Sequence, residues 1–190
     1  MTALPGYGKA AEQKAKARKL LADAGFTPAS PLRVEVLTRG IAVYIDFASF
    51  VINELKQVGV EGTLKQVDTN QWYSLISRKD YALGANVNGF GLDDPDAIFY
   101  ETYGCTSVRN YTGYCDEQVM KMIDQQSQEP DQKKRRALVA QIQKKLEEDA
   151  ARPIMGWRLD YLAHWPHVKN LIPHHNIYSY GRMQEVWLDR

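Results

Sequence analysis

The chain has 190 residues, enough for one domain with its own core, and its 44% hydrophobic and 25% charged content is ordinary for a soluble globular protein. A formal charge of +1, with Lys and Arg scattered along the sequence, supplies no basic footprint for nucleic acid or an anionic membrane. No stretch approaches the roughly 18 consecutive apolar residues of a membrane span, so no direct membrane insertion is expected.

From Lys9 the run KAAEQKAKARKLLADAGF is rich in helix formers, and Gly25 falls where such a helix takes a left-handed cap. Alternating apolar and polar residues then predict a strand over 32–37. A helix over 44–58 follows, with Ile45, Phe50, Val51, Ile52 and Leu55 as its core stripe and Gly59 as its stop. The next strand is expected at 60–67. Asn70 is the predicted cap of a short helix carrying Trp72, Leu75 and Ile76, and residues 81–87 read as a further strand. Strands alternating with helices at this spacing define an α/β protein, with a largely parallel or mixed sheet flanked by helices.

In the second half, Asp116 is positioned to cap a helix to about Gln126. Pro130 suits the first turn of a longer helix ending near Ala151, with a ridge of Leu138, Ile142, Leu146 and Ala150. RPIMGWRL then reads as a short buried strand. The remainder is loop-rich until GRMQEVWLDR, which again has strand character.

The chemistry-bearing patterns are sparse. No GxSxG, HExxH, P-loop or GxGxxG motif occurs, and no catalytic residues, metal site or cofactor are assigned. In NGFGLDDPD, Asp94 before Pro95 reads as an N-cap and Asp96 as a first-turn acid favoured by the helix dipole. Asp93 is left over at the carboxyl end of a strand, where open α/β sheets bind ligands. Among His164, His167, His174 and His175 there is an H-x-x-H pair. It lies between prolines with no helix to align the rings and no further ligand to complete a shell, so a structural role is expected. Trp72, Trp157 and Trp165 are expected in the core. The spacing of Cys105 and Cys115 permits a disulfide in an oxidising compartment and equally two free thiols.

Taken in order, AKARKLLADAGF, LRVEVLT, VINELKQVGVEGTLKQVD and GFGLDDPDAIFYETYGCTSVRNYTGYCDEQVMKMID resemble the C-terminal lobe of the extracellular solute-binding proteins of family 5. These are the oligopeptide-, dipeptide- and nickel-binding proteins of ABC importers. The resemblance implies a type II periplasmic-binding-protein lobe and a non-enzymatic role. That role is to capture peptides or peptide-like solutes by closure of two lobes, in a periplasmic protein that works with ABC permease subunits. A sensory or interaction module of the same fold is the alternative. On alignment at Gly89, Asp93 takes the position that holds a peptide's α-amino group, with Phe90 in place of the family's usual Trp and a spacer before DPD shorter by about two residues. Asn88 and Gly91 belong to the same expected ligand loop. The resemblance also implies a Cys105–Cys115 disulfide. It divides the chain into a lobe over 1–158 and a hinge-return segment over 159–190 that belongs with a first lobe absent here. The opening MTALPGYGKAAEQ lacks the apolar core of a signal peptide and reads as the interior of a longer exported protein, of which this chain is a fragment.

Overall fold

The computed structural model describes residues 8–89, 92, 94–156, 159, 161–172 and 183–189. Its first half is a small parallel sheet between helices. Strand β1 (Leu32–Arg39) pairs along its whole length with β2 (Val60–Val67), in register from Leu32↔Val60 to Arg39↔Val67. On its other edge it pairs with β3 (Leu83–Gly84), through Val36↔Leu83 and Leu37↔Gly84. The order is β2-β1-β3 and every pairing in it is parallel.

A central parallel strand must be covered on both faces, and β1 shows it. Val36 packs with Ala48 of helix α2 (Ala42–Lys56), whereas its neighbour Leu37 packs with Trp72 and Ile76 of helix α3 (Thr69–Ser77). Opposite helices therefore read alternate side chains of one strand. Helix α1 (Ala10–Asp23) buries no residue and is tied to the end of α2 by polar contacts: Lys14 to Glu54 at 2.9 Å and Arg18 to the Gln57 carbonyl at 2.9 Å. Its stop is the expected one. Gly25, at φ +91°, donates to Ala22 while Phe26 donates to Leu21, a left-handed helix end that glycine adopts without strain.

The second half is helical. Helices α4 (Pro95–Tyr103), α5 (Glu117–Ser127) and α6 (Gln132–Glu148) bury Phe99, Tyr103, Val119, Ile123, Ile142 and Leu146 against one another and Ala151. Asp94 caps α4 with Pro95 at the first position, and Asp116 caps α5 by accepting from Val119 at 2.9 Å, both as predicted.

Several expectations are corrected. Asp68, not Asn70, caps α3, because its carboxylate reaches the N–H groups of Asn70 and Gln71 at 2.8 and 3.0 Å. Pro130 lies just outside α6, whose cap is Asp131. Phe50 points away from the α2 core face and is 53% exposed, since two residues from buried Ala48 is about 200° around a helix. Helix α6 ends at Glu148, short of the expected ridge residue Ala150, which is exposed and takes φ +49°, and Ala151 enters the core instead. Only Leu83–Gly84 of the expected 81–87 strand pairs, the polar residues beyond turning out toward a cleft. Residues 153–156 form no strand and are exposed, and Trp165 is 73% exposed, whereas Trp72 is fully buried. Trp157 lies outside the described residues. Near the end, β4 (Val168–Lys169) and β5 (Trp187–Leu188) form a separate antiparallel pair, with a 3-10 turn at Met183–Glu185 just before β5. No helix among the described residues is long and apolar enough to cross a membrane.

Candidate ligand cleft

A cleft of about 260 Å³ opens at the carboxyl end of β1, between the sheet and the helical half. One wall is Arg39, Tyr44, Tyr73 and residues 86–89, and the other is Glu101 and Thr102 of α4 with Arg109 and Tyr111 of the loop that follows. It is a crevice beyond strand ends, the place where open α/β sheets hold ligands.

Arg39 dominates it. As the last residue of β1 it is fixed in position by the ladder, and Thr38 beside it is anchored through its hydroxyl to the Ala85 carbonyl at 3.0 Å. The guanidinium stands 4.0 Å from the Tyr44 ring centroid, 5.1 Å from Trp72 and 5.7 Å from Tyr73, an aromatic cage that favours a cation. Its Nη2 donates to Tyr44 Oη at 2.5 Å and to Asn86 Oδ1 at 3.1 Å, and Asn86 in turn donates to Asn88 at 2.6 Å. The Arg39 Nε is buried with no hydrogen-bond partner, and among the described residues no carboxylate pairs with this side chain. Glu101, the carboxylate of the lining, is paired with Arg109. The cleft thus presents amides, phenols and a cage-held cation.

Of the residues predicted for the site, Asn88 lines the cleft and is linked to Arg39 through Asn86. Phe90, Gly91 and Asp93 lie outside the described residues. Asp94 is structural, as read from the DP pair, but holds more than a cap. Its Oδ1 accepts from the Asp96 N–H at 3.0 Å while both oxygens accept from Arg135, at 2.9 and 2.7 Å. Arg135 holds the Asp94 carboxyl below the ordinary range, the Asp96 N–H adding to the effect. Asp96 accepts from Gln126 and from Ser127 Oγ at 2.7 Å, so both acids serve the junction of α4 with α5 and α6. Cys105 and Cys115 form the expected disulfide. Among the described residues no group of His, Cys, Asp and Glu could hold a metal.

Arg39, Tyr44, Tyr73, Asn86, Arg109 and Tyr111 were not predicted. Arg39 had a readable signal, a cation closing an apolar strand just before glycine. The others come from distant segments, with no shared pattern.

The sequence matches the bacterial extracellular solute-binding proteins, family 5 Middle, over residues 2–110. No curated protein matches it. The fold is similar to OppA of Burkholderia pseudomallei (22% identity, TM-score 0.68, covering 75% of this chain and 28% of that one). It is also similar to Haemophilus influenzae OppA in complex with RPPGFSPFR (17%, TM-score 0.70, 75% and 28%) and to the Escherichia coli murein tripeptide binding protein MppA (22%, TM-score 0.69, 76% and 28%). The chain spans under a third of the length of each of these proteins. With more than half of its residues matched, the chain belongs to family 5 of the bacterial extracellular solute-binding proteins.

Proposed function

We propose that this chain is the ligand-holding lobe of the substrate-binding component of an ABC importer, an exported, non-enzymatic protein that captures peptides or peptide-like solutes. The observation that carries the reading is Arg39: a cation caged by rings at a strand end, with an unsatisfied Nε and no carboxylate partner among the described residues, facing an open cleft. A half-buried cation without a carboxylate partner is stabilised when an anion arrives beside it. The matching ligand group is a planar anion, and a peptide's terminal carboxylate fits the guanidinium fork. Asp93 is assigned the ligand's ammonium group from the resemblance, with Asn88, Phe90 and Gly91 beside it.

Capture requires a second wall. Closure of two lobes removes the ligand from water and strengthens each charge-assisted contact. Residues 1–158 are read as one lobe and 159–190 as the segment that packs on the rest of the protein. The exposure of Leu159, Tyr161, Trp165 and Ile172, each above 60%, supports that division, because apolar side chains gathered in one stretch are seldom left to water.

The test uses the full-length protein with trialanine and its C-terminal amide as probes, by calorimetry. The acid should bind at least about tenfold more tightly than the amide, and Arg39→Met should abolish that preference, a loss of roughly 1.5–3 kcal/mol. Equal binding of acid and amide by the unaltered protein would refute the role of Arg39.

A further inference from the structure

The two walls of the cleft belong to different halves of the molecule, and the loop over 104–115 touches both. Tyr111 packs on the Leu37–Trp72 cluster, meeting the Trp72 ring edge-on at 6.0 Å, and its carbonyl accepts from Tyr81 Oη at 2.8 Å. Three residues on, Tyr114 packs on the α4–α6 cluster, meeting Tyr103 edge-on at 6.4 Å and donating to Asp149 at 2.6 Å. Gly113, at φ +73°, lies so close to the Lys79 side chain that an added Cβ would stand 2.9 Å from its Cε. The loop is therefore seated on the sheet half by one aromatic and on the helical half by another.

Between them sits Asn110, only 4% exposed. Its Nδ2 donates to the carbonyls of Gly104 at 3.1 Å and Tyr114 at 2.7 Å. Its Oδ1 accepts from the Gly113 N–H at 3.0 Å and the Thr112 hydroxyl at 3.3 Å. Both amide hydrogens and both oxygen lone pairs are used, so the side chain has one orientation and the loop one shape. The Cys105–Cys115 disulfide closes the same loop from outside.

We infer that Asn110 is a positioning residue: by fixing the loop that bears on both halves, it sets the distance between the Arg39 wall and the Glu101–Arg109 wall, and so the width of the cleft. The inference concerns the unliganded protein and holds whatever the cleft takes. Shape matters here more than volume. Aspartate at this position keeps the size but turns a carboxylate oxygen toward two carbonyls, whereas alanine removes all four bonds.

The experiment is pulsed EPR on the full-length protein without ligand, with genetically encoded nitroxides that leave the disulfide intact. One pair, at Asn53 and Lys144, spans the halves. The pairs Asn53–Gln66 and Lys121–Lys144 stay within one half each, and all four positions except Lys144 are taken from exposed sites of α2, β2 and α5, with Lys144 exposed on α6. In Asn110→Asp and Asn110→Ala the distance distribution across the halves should broaden about twofold or more, while the two internal pairs keep their widths. An unchanged spanning distribution overturns the inference. So does equal broadening of all three pairs, which would make Asn110 a stabiliser of the whole fold. If the Asn110 variants do not fold, Cys105→Ser/Cys115→Ser loosens the same loop from its outer tie, and the same two outcomes decide.

Discussion

Replacing Asp94 by asparagine separates two roles that one carboxylate performs. As a helix cap, asparagine is nearly as good as aspartate, and from the sequence the change is expected to cost a few tenths of a kcal/mol. The structure raises that figure. Oδ1 keeps its contacts with the Asp96 N–H and Arg135 Nη2, but the new Nδ2 takes the place of Oδ2 and faces Arg135 Nη1, donor against donor. One of two charge-assisted bonds and the charge itself are lost. The side chains are 27% and 42% exposed, so solvent screens the pair, and exposed pairs contribute about 0.2–1 kcal/mol. The bidentate geometry, with Arg135 already held at Gln126 through Nε, places this pair at the upper end, about 1 kcal/mol. Urea unfolding of Asp94→Asn, Arg135→Met and the double variant should give a coupling energy near ~1 kcal/mol that falls by more than half in about 1 M salt. A coupling energy below ~0.2 kcal/mol would refute the reasoning and return Asp94 to a simple cap.

The Cys105–Cys115 bond closes a short loop, and reduction should lower stability by about 2–3 kcal/mol on the chain-entropy estimate; intact mass should show two hydrogens gained and two alkylatable thiols appearing only after reductant. Asp94, Asp116 and Asp149 each have a carboxyl held below its ordinary value, chiefly by Arg135, by the Val119 N–H and by Lys145 respectively. A depressed folded value means that this stabilisation is present above about pH 4 and lost as pH falls through the lower folded values, so the urea midpoint should drop as pH is lowered below about 4; a flat profile would contradict the three contacts. In β2, a Cβ on Gly62 would stand 3.0 and 3.2 Å from two carbons of Ile52, and Gly62→Ala should cost about 1–2 kcal/mol by thermal unfolding in the unaltered protein and markedly less when introduced into Ile52→Ala.

Features governed by a few neighbouring residues were legible from the sequence alone. The glycine stop at Gly25 and the Asp94-Pro95-Asp96 and Asp116 caps all rest on contacts within about four positions, and the limits of β2 at 60–67 follow from the alternation of its own residues. The expectation of Asn70 where Asp68 is the cap shows how narrow that reading is: both residues are competent caps, and only the path of the chain leaving β2 decided which carboxylate or amide met free N–H groups. The same held for α2, where hydropathy admitted Phe50 to the core stripe but the sheet accepted the face centred on Ala48. The cleft lay beyond local reading altogether. Its cation comes from position 39, its cage from 44, 72 and 73, and its far wall from 101 to 111, and nothing short of packing brings these together. Composition and spacing thus determined the α/β class and those helix ends, such as Gly25, Asp94 and Asp116, whose caps and stops are set by local backbone bonding. Tertiary structure alone decided which charges found partners: Asp94 and Asp96 gained them from α5 and α6, while Arg39 was left facing an open cleft.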